Sequence, residues 1–599
     1  MGRFSEVRLR PMAFAIGYGG QWPWWEILVS RRKKLGGTSL DRWCRVPDTF
    51  TLKGILKNMH AFTWYIRMVV VGVALICASA SAALPSETQE TLNRWLEGNP
   101  GGIVVALIDA NGVEFAQVGI FSSDNPKRVN ADSQFEIGSI SKVFTATLFA
   151  ESRRLGKVEL DDPVGLPFAP SRITYRQLVT HTSGLPDHQK DFAHGDPFNP
   201  YGVESMDRLV ATFDSQSLNA HESPWSYSNL GIAVLGQALA KIWNTSYEEV
   251  LFSRILEPLQ LKSTTPSWRK ADPARLAPGH TNEGRQINWD FASYTPAGGI
   301  VSSARDLAHF VQASLGLVRS SLAADLLETT KPLKPVGDWG GRIGMVWNID
   351  RWEERTIVSH GGATGGYRSF VAFDPSAQRG IVVLTNSSAE VTDLGEALLM
   401  NKLKALPLWR NAVSLDEKSI AEYVGRYEFS STEILTITAQ NHMLSAQVTG
   451  SLSLTVFAEE KDKLFAKSVN VLITFQRDAS GKITGLLWRQ NEWDRHGNRL
   501  PERREIQLEK TVLKDYTGVY TVSPLFSLTV RLEGDILYVQ PTEQEKALLF
   551  AEQKDQFFVK IADTRFRFTR DTDGKINGLV MLDNGQQISA KREEKQPAN

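Results

Sequence analysis

The chain has 599 residues, 67 Lys plus Arg against 67 Asp plus Glu, 42% hydrophobic and 22% charged residues. That length allows about two to four domains, and the even charge balance gives no whole-chain electrostatic case for a nucleic-acid partner. Only two cysteines occur, Cys44 and Cys77, with no His-Glu-x-x-His or paired-cysteine pattern, so neither a disulfide framework, a metal site nor any cofactor is expected.

Residues 1–58 are basic, with 11 Lys/Arg against 4 Asp/Glu, and show no sustained periodicity. We read them as a non-native or disordered extension, with Met59 as the working start. Residues 59–83 read as a signal peptide. Arg67 precedes an apolar run from Met68 to Cys77, and Ala80-Ser81-Ala82 fits a signal-peptidase site. The run is shorter than the roughly 20 apolar residues of a spanning helix. The expectation is an exported protein, periplasmic or secreted, with no transmembrane span after cleavage.

The main domain is expected over 84–405. Gly102 to Ala116 reads as two strands around an Asn-Gly turn. A helix follows Phe135, with Ile140, Val143, Phe144, Thr147 and Leu148 at helical spacing and Gly156 past its end. A second helix begins near Asn229, with Ile232, Leu235, Leu239 and Ile242 on one face. Three strands close the domain: Thr356–His360, Ser369–Phe373 and Ile381–Leu384. Strands at both ends with helices between predict one antiparallel sheet flanked by helices, plus a helical subdomain: an α+β fold.

After a linker at 406–418 the chain repeats itself. Tyr423-Val-Gly-Arg-Tyr427 recurs as Tyr516-Thr-Gly-Val-Tyr520, and Phe475-Gln-Arg-Asp-Ala-Ser-Gly481 as Phe568-Thr-Arg-Asp-Thr-Asp-Gly574. Both copies alternate apolar and polar residues between turn signals. They are expected to be two small antiparallel β-barrels, over 419–510 and 511–596. Asp571-Thr-Asp573-Gly574 reads as a hairpin turn rather than a calcium loop.

Three short motifs carry chemistry. Ser139 and Lys142 lie three residues apart, so their side chains share a helical face, and a lysine desolvated there can hold or take the serine proton. The same spacing at Ser30/Lys33 and Ser267/Lys270 has no function that we can see. Tyr227-Ser-Asn229 can turn Tyr227 and Asn229 into one cleft. A phenol beside a lysine cation is expected to have a lowered pKa and to act as a base; Asn229 can hold a substrate amide or cap the following helix. His360-Gly361-Gly362 ends a predicted strand, and its glycines allow close approach.

In this order the three motifs resemble the serine β-lactamase and penicillin-binding superfamily, and most closely its class C-like branch with D-alanyl-D-alanine carboxypeptidases, D-aminopeptidases and esterases. Leu178-Val-Thr-His-Thr-Ser-Gly-Leu-Pro186 and Thr295-Pro-Ala-Gly-Gly299 strengthen the likeness. The resemblance implies an acylated nucleophile at Ser139, Lys142 as its partner and Tyr227 as proton relay. It also implies Asn229 on the substrate amide, an oxyanion hole from the N–H groups of Ser139 and Ala363, and His360 and Gly362 where β-lactamases carry Lys-Thr-Gly. That departure removes a lysine and a threonine hydroxyl, which weakens the case for efficient β-lactam hydrolysis. Arg368 is a candidate replacement for the lost cation; His181 is expected to brace its loop.

The expected activity is a D-stereospecific peptidase, of aminopeptidase or DD-carboxypeptidase type, on short peptides or peptidoglycan fragments. The rivals are a class C-like β-lactamase, an esterase and a non-turnover penicillin sensor. Expected partners are a small peptide, β-lactam or ester, and further copies of the chain through the barrels; no nucleic-acid partner is expected.

Overall fold

The computed structural model of the chain describes residues 84–593 apart from 189–198, 218–221, 283, 337–340, 431–432, 441, 450, 452, 491–492, 524–525, 543, 545 and 584–585. The stretches read as an extension, 1–58, and as a signal peptide, 59–83, lie outside the described residues. Among those described, no helix is long and apolar enough to cross a membrane.

One eight-stranded antiparallel sheet organises the first domain. Its order is Gly112–Gly119, Gly102–Asp109, Arg379–Thr385, Tyr367–Asp374, Arg355–Thr364, Asn348–Trp352, Gly341–Ile343 and Lys334–Val336. The domain's first strand therefore lies beside its last, where Val105 pairs with Val383. Both faces are covered, which explains the unbroken apolar run Ile103 to Ile108. Val104, Ala106 and Ile108 join the core under Ser141–Arg154, while Ile103, Val105 and Leu107 pack with Leu92, Trp95 and Leu398. The three strands 334–352 went unread in the sequence because two of them have only three residues, too few for a period to show.

The strand expected to stop at His360 runs on to Thr364, and its turn is at Gly365-Gly366. Gly361 and Gly362 thus sit inside the strand, opposite Phe370 and Ser369. The reason is spatial. A Cβ at Gly362 would lie 2.1 Å from the Ile137 carbonyl oxygen, and one at Gly138 would lie 2.6 Å from the Ala363 nitrogen. Ser369 Oγ donates to that same Ile137 oxygen at 2.8 Å. Two glycines therefore let the segment before Ser139 lie directly on the strand; at Gly138 a φ of +51° also favours glycine. Gly362→Ala is expected to cost about 1–3 kcal/mol, because the obstacle is backbone and cannot swing away. A fall in melting temperature together with lost activity is the readout; an unchanged melt would show that the two segments separate freely.

The C-terminal half forms two closed eight-stranded barrels, spanning Gly425–Arg499 and Gly518–Arg592. The repeated Tyr-x-Gly-x-Tyr now has a physical role. Tyr427 donates its hydroxyl to the Tyr423 carbonyl at 2.9 Å, and Tyr520 to the Tyr516 carbonyl at 2.7 Å. Tyr423 stacks on Phe475, Tyr516 packs on Phe568, and Arg477–Asp462 and Arg570–Asp555 pairs repeat beside them. The Asp571 carboxylate accepts from the N–H groups of Asp573 and Lys575, as Asp478 does from Ser480 and Lys482, so this is a hairpin turn in both copies. Trp488 is buried in the first barrel, whereas Trp493 is 80% exposed.

Among the described residues, the barrels meet the first domain near Gly98 and at one hairpin. Thr455 donates to the Gly98 carbonyl at 2.7 Å. The hairpin at 280–285 reaches both barrels, through Asn282 to Ser453 and through a bridge from Gly284 to Gln544. Trp289, four residues past that hairpin, packs against Gly365 at the end of the His360 strand.

Candidate active site

Ser139 lies in a single 3-10 turn, Gly138–Ile140, that leads straight into the helix Ser141–Arg154. It is therefore placed just ahead of the first helical turn. Ser139 Oγ is 2.9 Å from Lys142 Nζ, and the Tyr227 hydroxyl donates to it at 2.7 Å. Three segments far apart in sequence thus bring an amine and a phenol to one alcohol.

Lys142 is fully buried. Besides Ser139, its Nζ contacts Asn229 Oδ1 and the Ala297 carbonyl, each at 2.6 Å. Burial pulls the Lys142 amine down to about 7, against a smaller opposing pull from Asp187. Near neutral pH it therefore exists in both charge states. When neutral it donates to Asn229 and Ala297 and keeps a lone pair for the Ser139 proton.

Tyr227 corrects an expectation. Burial raises its phenol above the usual range, and the bond to Ser139 offsets this only in part. The lysine gives it no steady cation, because Lys142 itself loses charge on burial, and Nζ sits over the ring, 4.9 Å from its centroid. Tyr227 is thus a neutral donor, and Lys142 is the group poised to take a proton. His181 braces this segment as expected. Its Nδ1 accepts the Ser228 N–H at 3.2 Å and its ring lies 4.7 Å from that of Tyr227.

Asn229 does not cap its helix. Ser228 does, accepting the Gly231 N–H at 2.9 Å. The Asn229 side chain is left to span between Lys142 and Asp187, with Nδ2 donating to Asp187 Oδ1 at 2.9 Å. A carboxylate only accepts, so Asp187 fixes which end of the amide faces the lysine. Burial pushes the Asp187 carboxyl up, but hydrogen bonds from His188 and the Asn229 N–H outweigh it and hold it below the usual range.

On the strand side, His360 is buried and burial pulls its imidazole down to about 4. Its Nδ1 donates to the Gly361 carbonyl at 2.7 Å. Gly361 has room: an added Cβ would meet nothing nearer than the Ser369 oxygen at 3.8 Å. Ala363 lies with its peptide against Gly138, next to the serine. Arg368 pairs in register with Ala363, but its guanidinium donates to the Tyr367 carbonyl at 3.0 Å and lies 3.8 Å from Glu390. The structure favours this local ion pair over a role as the missing cation. The control pair also behaves as expected, for Ser267 caps a short turn and Lys270 pairs with Glu248.

Two contributors escaped the sequence. Asp187 directly follows the Leu178–Pro186 phrase and differs in no local way from a surface loop acid. Ala297 acts through its carbonyl, which no side-chain pattern reveals.

A family model described as Beta-lactamase matches residues 92–403. A second, described as Domain of unknown function (DUF3471), matches twice, over 410–500 and 502–595. A β-lactamase of Lysobacter lactamgenus is 25% identical over 376 residues, covering 56% of this chain and 94% of its own length. Penicillin-binding protein 4* of Bacillus subtilis is 23% identical over 410 residues, covering 62% of this chain and 89% of its own. Among solved structures, the octameric penicillin-binding protein homologue from Pyrococcus abyssi is 22% identical with a TM-score of 0.48, covering 68% of this chain and 98% of that one.

Proposed function

Because the chain belongs to the Beta-lactamase family, whose model spans residues 92–403, we propose that it is an exported serine hydrolase that forms an acyl-enzyme on Ser139 and cleaves short peptides containing D-residues. The observation that carries this reading is the convergence on Ser139 Oγ of Tyr227 at 2.7 Å and Lys142 at 2.9 Å.

In this reading neutral Lys142 takes the Ser139 proton as Oγ bonds to the scissile carbonyl carbon. The carbonyl oxygen gains negative charge beside the N–H groups of Ser139 and Ala363. As the C–N bond breaks, the departing amine takes the Tyr227 phenolic proton, and the Lys142 ammonium restores it. Water then gives a proton to Lys142 and attacks the ester carbonyl. Ser139 leaves as the alcohol, reclaiming that proton. The relatives named as a β-lactamase and a penicillin-binding protein support acyl transfer in general, while the absence of Lys-Thr-Gly at His360-Gly361-Gly362 tips the choice toward peptides.

The test is a substrate panel on the purified chain: a D-alanyl anilide, a D-Ala-D-Ala peptide, a short-chain p-nitrophenyl ester and nitrocefin, with intact-mass detection of the adduct. The anilide or peptide is expected to turn over faster than nitrocefin, with a transient acyl mass. No turnover, together with a stable penicillin adduct, would replace the hydrolase by a sensor.

A further inference from the structure

We propose that Asp187 is a specificity-determining residue that selects substrates carrying an ammonium group next to the scissile carbonyl, and that the same site disfavours a carboxylate there. The inference deepens the serine-hydrolase reading and rests on it.

The argument is a count of fixed charges around Ser139 among the described residues. In the form that takes the serine proton, Lys142 is neutral. His360 donates Nδ1–H to a backbone carbonyl that can only accept, so its other nitrogen is bare. His181 accepts the Ser228 N–H and is likewise held neutral by burial. Tyr227 is a neutral phenol. Arg368, the one strand-side candidate for a cation, is engaged by the Tyr367 carbonyl and by Glu390. Glu136, the acid three residues before the nucleophile, is fully enclosed, and desolvation raises its carboxyl to about 7.

Asp187 is different. Its side chain is 44% exposed, so it is open to a ligand. Three hydrogen bonds link it to the nucleophile, through Asn229 and Lys142. Oδ1 accepts both the backbone N–H and the Nδ2–H of Asn229, each at 2.9 Å, and Oδ2 lies 3.0 Å from His188 Nδ1. These donors orient the carboxylate. His188 Nε2 in turn lies 2.8 Å from the Tyr201 hydroxyl, and Tyr201 stacks on Phe291, so the imidazole beside the carboxylate is tied to an aromatic cluster. A half-exposed, pre-oriented anion, beside which the described residues place no permanent cation, attracts an ammonium and repels a carboxylate. The α-ammonium of an aminoacyl substrate is joined through one carbon to the carbonyl that Ser139 attacks. A β-lactam, or a peptide with a free carboxylate beside its scissile bond, brings a second anion instead. The site's polarity is thus that of an aminopeptidase rather than a carboxypeptidase.

The test compares D-alanyl p-nitroanilide with propionyl p-nitroanilide, which replaces the ammonium by hydrogen. The unsubstituted chain is expected to favour the first by at least ~10-fold in kcat/KM, the scale of one partly exposed charged contact. Asp187→Asn is expected to bring that ratio to within about twofold, and Asp187→Glu to keep part of it. A merely structural role for Asp187 would lower both substrates alike and leave the ratio intact, and that result overturns the proposal, as does an unsubstituted chain with no preference. Should Asp187→Asn fail to fold, competition in the unsubstituted chain still decides. D-alaninamide is expected to inhibit ester hydrolysis at ~10-fold lower concentration than propionamide, and equal inhibition overturns the idea. Loss of turnover on every substrate would instead remove the hydrolase reading, and this inference with it.

Discussion

Ser139→Ala is expected to lower turnover by ~10^4-fold or more and to remove covalent capture of a penicillin or slow ester altogether. The variant is expected to keep the turn Gly138–Ile140, the lysine and the tyrosine, because among the described residues Ser139 Oγ hydrogen-bonds to the site residues Lys142 and Tyr227. Binding should therefore survive while the acyl mass disappears. The measurement is intact-mass spectrometry beside steady-state kinetics. An adduct that persists in Ser139→Ala would place the nucleophile elsewhere.

Lys142→Met is expected to cost about 10^3-fold or more in kcat, and to change the pH profile as well as its height. In the unsubstituted chain the reactive form is the neutral amine. With Lys142 held near 7 by burial, kcat/KM is expected to climb as pH rises through about 7, because deprotonation creates the base, and to fall away below it. Methionine fills similar volume, carries no proton and leaves Asn229 Oδ1 and the Ala297 carbonyl without their donor. The residual activity should lose the limb near 7. A variant that kept that limb would assign the titration to another group. Lys142→Arg offers a sharper contrast, since a guanidinium stays charged and cannot take the proton.

The main helices and strands of the first domain were legible because their apolar spacing is set by burial on known faces. Ile103 to Ile108 read as a strand since both sides of the sheet are covered, and the helix after Ser139 read as such from its spaced apolar residues. The barrels were legible from repetition, since one tyrosine clasp is written twice. What stayed hidden depends on tertiary approach. The extension of the His360 strand through two glycines requires knowing that Ile137 passes 2.1 Å from where a Cβ would stand. The direction of the Tyr227 shift requires knowing that the phenol itself is buried in the folded site. Asp187 enters the site only because Asn229 reaches back to it, and helix capping by Ser228 is what frees Asn229 to do so.

Each barrel zips its last strand to its first, Tyr427 to Arg499 in one and Tyr520 to Arg592 in the other. Among the described residues, a cylinder closed in this way has no end strand for a foreign backbone to extend, and outside backbone meets it at single bridges such as Gly284 to Gln544. Self-association through this half of the molecule would therefore rest mainly on side chains, where a few surface substitutions can create or abolish it, while the sheet of the first domain ends in the edge strands Gly112–Gly119 and Lys334–Val336.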